Sequence, residues 1–102
     1  MLIKKIRLGR DSELRLMPSG KNVLNFTGAY DVGYGDNKRT VWVKCALFGD
    51  RCEKVAQYLK KGTQVVVYLR DVEPESYEGK NGVQVSIKGV VSEFEFCGDV
   101  QH

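Results

Sequence analysis

The sequence predicts an all-β fold, a five-stranded barrel with one helix between its third and fourth strands. Three observations predict it. Val, Ile, Tyr, Phe and Thr gather in short runs separated by Gly, Asn, Asp and Pro, the rhythm of short strands and turns. Within several runs apolar and polar residues alternate, so each run buries one face and solvates the other. After Gly49 the period lengthens: Cys52, Val55, Ala56 and Leu59 recur at helical spacing.

The first strand, residues 2–8, places Leu2, Lys4, Ile6 and Leu8 on one face and Ile3, Lys5 and Arg7 on the other. A kinked continuation over residues 13–17 meets Pro18-Ser19-Gly20-Lys21, where proline presets φ and glycine permits a positive value. The second strand spans residues 22–30. Residues 31–38 contain Gly33, Gly35, Asp36 and Asn37 and form a hairpin loop.

The third strand, residues 39–48, is the most informative. Val41, Val43, Cys45 and Leu47 make one uniformly apolar face, while Thr40, Trp42, Lys44, Ala46 and Phe48 make the other. The helix that follows has Asp50 to cap it, Glu53 at the capping-box offset, Lys60-Lys61 at its negative end and Gly62 as its stop. Tyr58 lies off the apolar stripe and is expected to be partly buried.

The fourth strand, residues 63–71, leads through a polar loop to the turn Glu78-Gly79-Lys80-Asn81-Gly82. The fifth runs from residue 83 towards 96, with Gly89 a bulge or bend and Val90, Phe94 and Phe96 together facing the core. Three strands, a helix and two strands is the order of an OB-fold Greek-key barrel. One helix cannot supply the crossovers of a doubly wound fold. At 102 residues the chain is expected to form a single domain.

Composition narrows the function classes. The chain is 42% hydrophobic and 28% charged, with 16 Lys and Arg against 13 Asp and Glu, an ordinary globular balance with a slight cationic excess. No apolar stretch approaches a membrane span, so a cytoplasmic protein is expected. Cys45 and Cys52 fall on apolar faces and are expected as buried reduced thiols. The only histidine is His102, so neither a zinc site nor histidine-based catalysis is expected. Asp71, Glu73 and Glu75 alternate, yet Glu73-Pro74-Glu75-Ser76 reads as a solvated acidic turn. No cofactor, metal or enzymatic activity is expected.

If the uniform face of the third strand is inside, Trp42 and Phe48 stand outside with Lys44 between them. Single-stranded nucleic acid suits such a surface, because bases stack on aromatic rings while phosphates meet cations. Packing against another subunit or a folded-back loop is the competing explanation. Tyr34, in a glycine-rich loop, and Tyr77, at the entrance to the last hairpin, are further candidate contacts. Lys5, Arg7, Lys38, Arg39 and Lys80 join Lys44 as candidate phosphate ligands.

Four segments then carry a family likeness: Leu8-Gly9-Arg10-Asp11-Ser12-Glu13-Leu14-Arg15, Met17-Pro18-Ser19-Gly20, Val41 through Gly49, and Val55-Ala56-Gln57-Tyr58-Leu59-Lys60-Lys61-Gly62-Thr63-Gln64-Val65. In this order and spacing the chain resembles the bacterial single-stranded DNA-binding proteins over nearly its full length. The resemblance implies an OB-fold homotetramer that protects single-stranded DNA in replication, recombination or repair and stacks bases on a few aromatics. Trp42 and Phe48 match two such platforms and Lys44 a basic position. Tyr34 and Tyr77 fall near aromatics of the two hairpins.

Three departures accompany it. The chain stops at Gly98-Asp99-Val100-Gln101-His102, so recruitment of repair enzymes by an acidic tail is not expected. Val43 replaces a histidine common at subunit contacts, which leaves a dimer as the alternative assembly. The usually basic hairpin after the fourth strand here reads Asp71-Val72-Glu73-Pro74-Glu75, which repels phosphates and predicts a weaker DNA path there. Two alternatives follow: a dimer resembling primosomal replication protein N, and a protein-docking OB module with weak DNA binding.

Overall fold

Alternation decides the sheet. In the computed structural model, which describes residues 1–33, 35–79 and 82–97, six strands form: β1 (Leu2–Leu8), β2 (Glu13–Leu16), β3 (Asn22–Val32), β4 (Arg39–Phe48), β5 (Gln64–Gly79) and β6 (Gly82–Phe96). They hydrogen-bond in the order β1-β5-β6-β4-β3-β2. A further pairing sets Arg7 opposite Ala29 and Leu8 opposite Gly28, so β1 meets β3 and closes a five-stranded barrel. The β4–β6 pair is parallel and the other pairs are antiparallel. This is the predicted OB-fold. The kinked continuation of β1 is the separate strand β2, which extends β3 beyond the barrel.

Inward faces supply the core: Ile6 and Leu8 of β1, Leu24 and Phe26 of β3, Val43, Cys45 and Leu47 of β4, and Val65, Val67 and Leu69 of β5. Cys45 and Cys52 are buried and unbridged, and burial pushes the Cys45 thiol up to about 12. Among the described residues no helix is long and apolar enough to cross a membrane.

Gly28 sits at the closure. A Cβ there would lie 2.7 Å from Cδ1 of Ile6 and 3.0 Å from the Arg7 carbonyl oxygen, so β1 and β3 approach only because position 28 has no side chain. Gly28→Ala is expected to cost about 1–3 kcal/mol of stability through overpacking, read as a lower urea midpoint. An unchanged midpoint would mean that β1 moves aside freely.

The helix differs from the expectation. α1 spans only Cys52–Ala56, its N-cap is Arg51 in the right-handed helical region, and no side chain caps it. Asp50 therefore does not cap, and the Glu53 carboxylate instead accepts a hydrogen bond from Asn22 Nδ2 at 3.3 Å. Ser12 secures the early stop. Its Oγ donates to the Ala56 carbonyl at 3.2 Å, which also accepts the Leu59 N–H. Its N–H donates to the Leu59 carbonyl at 2.9 Å, satisfying acceptors left over where the helix ends. The chain finishes in tight turns, Leu59 enters the core, and Tyr58 turns outward, 58% exposed. Gly62 is left-handed as expected, at φ 90°, but it ends this turn and not the helix.

Two bulges reset the faces of the long β5–β6 hairpin, and the sequence alone hid their effects. Tyr68 pairs with Glu93 but Leu69 with Val91, so Ser92 is an extra residue on β6. Before it Val91 faces the core; after it Phe94 and Phe96 do. The expectation that Val90 shares their face is thus wrong. Phe94 packs partly against the core, while Phe96 is 38% exposed at the barrel end, edge-on to Tyr58 with centroids 6.2 Å apart.

The second register shift lies between Arg70 and Glu73, where Asp71 and Val72 together oppose Gly89. Asp71 takes φ 53°. A Cβ on Gly89 would lie 3.1 Å from Leu69 Cβ and 3.3 Å from the Arg70 carbonyl oxygen. The predicted irregularity at Gly89 is therefore real, with the extra residue on the strand opposite. Residues 72–77, expected as a loop, continue β5 beyond this bulge.

Candidate nucleic-acid interface

Residues directly opposite in a ladder share a face, so the registers lay out the barrel's outer surface row by row. One row runs Arg7–Ala29–Trp42. The next runs Thr27–Lys44–Lys88–Glu73, and a third Asn25–Ala46–Val90. At the far end Arg15, Val23 and Phe48 align across β2, β3 and β4. Trp42 and Phe48 are six residues apart on β4, about 20 Å along the strand.

The two rings are presented differently. Phe48 is 43% exposed. Trp42 lies on the outer face as expected but is half-buried, because its six-membered ring leans on Gly9. A Cβ at position 9 would come within 3.0 Å of Trp42 Cζ3. Its neighbours in the row are the small residues Ala29 and Ser86, and the ring remains partly exposed, so it keeps surface on which a base can stack.

Lys44 is exposed but engaged: its Nζ lies 3.3 Å from Glu75 Oε1. That oxygen is enclosed and receives no aligned hydrogen bond, so the contact is one of charge. Lys88 makes the parallel contact with Glu73 at 3.7 Å. Asn25, Lys44, Ala46, Glu73, Glu75 and Lys88 line a shallow groove. Asn25 also belongs to a second depression, edged by Arg10, Asp11, Glu13 and Arg15. Here Arg15 pairs with Glu13 at 3.2 Å, and Asp11 accepts the Lys61 N–H at 2.9 Å.

The remaining predicted residues spread around this surface. Lys5 and Arg7 are exposed on the outer face of β1. Lys38 and Arg39 are exposed at the base of the β3–β4 hairpin, where Lys38 contacts Asp31 at 3.3 Å. The Thr40 hydroxyl, donating at 2.9 Å, and then Lys38 hold the Asp31 carboxyl below its usual range. Tyr34 and Lys80 lie outside the described residues. The Tyr77 backbone pairs with Gln84 on the hairpin, and its side chain lies outside the described residues.

Lys88, Thr27, Asn25 and Arg15 were missed from the sequence. Lys88 was hidden by the Ser92 bulge, since placing Val90 inside places Lys88 inside with it. Arg15 joins Phe48 only through the β2–β3–β4 registers, which no local pattern reveals. Among the described residues no group of three His, Cys, Asp or Glu side chains is placed to hold a metal ion.

Comparison with known proteins adds an independent line. A family model described as the single-strand binding protein family matches residues 6–97. The chain is similar to the single-stranded DNA-binding protein of Neisseria meningitidis serogroup A, 36% identical over 92 residues that cover 84% of this chain and 52% of that one. It is also similar to that of Chlamydia pneumoniae, 39% identical over 75 residues, 74% of this chain and 46% of the relative. A third is that of Halalkalibacterium halodurans, 34% identical over 90 residues, 85% and 53% of the two chains. The chain thus spans about half the length of these curated relatives.

Proposed function

The chain belongs to the single-strand binding protein family, and on that premise we propose that it binds and protects single-stranded DNA without regard to sequence, in replication, recombination or repair. The observation that carries this reading is the outer face of β4, where Trp42 and Phe48 flank Lys44 on one surface. Bases stack on the two rings. Phosphates meet Lys44 and Lys88 between them, with Arg7 beside Trp42 and Arg15 beside Phe48. Lys5, Lys38 and Arg39 extend the cationic surface, and Tyr34, Tyr77 and Lys80 stay as candidate contacts on their sequence positions alone. The mechanism needs no bond chemistry, and we assign no enzymatic activity.

We further propose a homotetramer in the bacterial cytoplasm. Ile3 on β1 and Leu16 on β2 are 53% and 72% exposed, apolar surface that self-association would cover. The alternative of a protein-docking module draws its support from the carboxylates that already hold Lys44 and Lys88.

The test is titration of Trp42 fluorescence with oligo-dT at low and moderate salt, on protein whose mass is fixed by light scattering. Saturable quenching that weakens with salt is expected, with log Kobs falling by about 0.7 per phosphate contact for each unit of log salt. No quenching at micromolar DNA, with the fold intact, would favour the docking module.

A further inference from the structure

We propose that Glu73 and Glu75 set the affinity threshold for single-stranded DNA by occupying Lys88 and Lys44 until a strand replaces them. This rests on the DNA-binding reading and adds residues that determine its strength and selectivity.

The geometry is specific. Lys44 and Lys88 are register partners on adjacent strands, so two ammonium groups stand side by side where the groove crosses β4 and β6. Facing them are Glu75 at 3.3 Å from Lys44 and Glu73 at 3.7 Å from Lys88. The carboxylates reach this face because of the bulge at Asp71 and Val72. Along β5 the odd-numbered residues Val65, Val67 and Leu69 point into the core, and without the extra residue Glu73 and Glu75 would point there too. The bulge therefore turns two carboxylates onto the lysines, at a position where Gly89 leaves it room.

In both pairs the side chains remain partly exposed, 57% and 36% for Lys44 and Glu75 and 51% and 67% for Lys88 and Glu73. Glu75 Oε1 is itself enclosed but receives no aligned hydrogen bond, and such pairs are weakly held. A single anion gains little by breaking one of them. A strand whose stacked bases already fix it to Trp42 and Phe48 brings consecutive phosphates to both lysines at once, and exchanges both partners together. The carboxylates thus stand where phosphates would lie. They lower affinity for every anion, but least for one that is also anchored by stacking. They also lower the salt dependence, because lysines already neutralised by carboxylates release fewer counterions.

The experiment compares oligo-dT binding by the wild-type protein, Glu73→Gln/Glu75→Gln, and a control Glu53→Gln/Glu95→Gln. The control makes the same change in charge away from the lysines; Glu95 lies seven residues along β6 from Lys88, about 23 Å. The first variant is expected to bind about tenfold more tightly at low salt. Its log–log salt slope should steepen by about 1.4, two lysines at about 0.7 each. The control should change affinity less than twofold. Equal affinity and slope in the wild type and the first variant overturn the proposal, as does an equal gain in the control, which would report overall charge alone. Weaker binding by the first variant also overturns it, by making the carboxylates positioning groups for the lysines. If none of the three binds at low salt, the DNA-binding reading falls and this proposal with it.

Discussion

Trp42→Ala combined with Phe48→Ala is expected to weaken oligo-dT binding by about 2–6 kcal/mol, from roughly 1–3 kcal/mol per stacked base. That is a loss of at least thirtyfold. The two rings are about 20 Å apart along β4 with no shared partner, so their effects should add to within a few tenths of a kcal/mol. Each single variant therefore carries its own share. Phe48→Ala should leave stability nearly unchanged, since the ring lies on the outer face. Trp42→Ala should cost on the order of 1–2 kcal/mol, because the half of the indole that rests on Gly9 leaves water on folding. Fluorescence anisotropy of a labelled oligonucleotide gives the affinities, and circular dichroism checks the fold. Retention of wild-type affinity by the double variant would remove the stacking surface from the proposed function altogether.

What was legible in the sequence was whatever regular alternation writes down. The faces of β1 and β4 follow from simple periodicity, and the structure buries Ile6, Leu8, Val43, Cys45 and Leu47 as that periodicity requires. The closed barrel followed from element order. What was not legible arose where one residue changes parity or where a distant group intervenes. Ser92 and the Asp71–Val72 pair each shift a strand by one position, and every side chain beyond such a shift changes face. Local alternation therefore places Lys88 inside and reads Glu73 and Glu75 as a solvated turn, whereas both carboxylates face lysines. Ser12 satisfies the end of α1 from more than forty residues away, a contact invisible to any local window. The Trp42–Gly9 contact joins β4 to the end of β1 in the same way. Thus the outward placement of Trp42, Lys44 and Phe48 was readable, whereas their supports and electrostatic partners were not.

Leu47→Ala supplies the mirror image of the Trp42 and Phe48 result. Leu47 is 1% exposed and stands between Ala46 and Phe48 on the opposite face of the same strand. Opposite it across the ladder is Leu24, also fully buried. The Cys52 thiol donates to the Leu47 carbonyl at 3.1 Å, which fixes α1 against the end of β4. Truncation removes a buried isobutyl group where closed strands allow little collapse, so a loss of about 2–5 kcal/mol is expected. Chemical denaturation measures it as a lower midpoint with an unchanged slope. The folded fraction should still bind oligo-dT with near wild-type affinity, because Leu47 does not reach the outer face. The two experiments together make a crossed test of strand β4: its odd positions should govern stability and its even positions binding. If Leu47→Ala weakened binding as much as Phe48→Ala while leaving stability intact, the faces of β4 would be reversed, and with them the interface proposed for the strand.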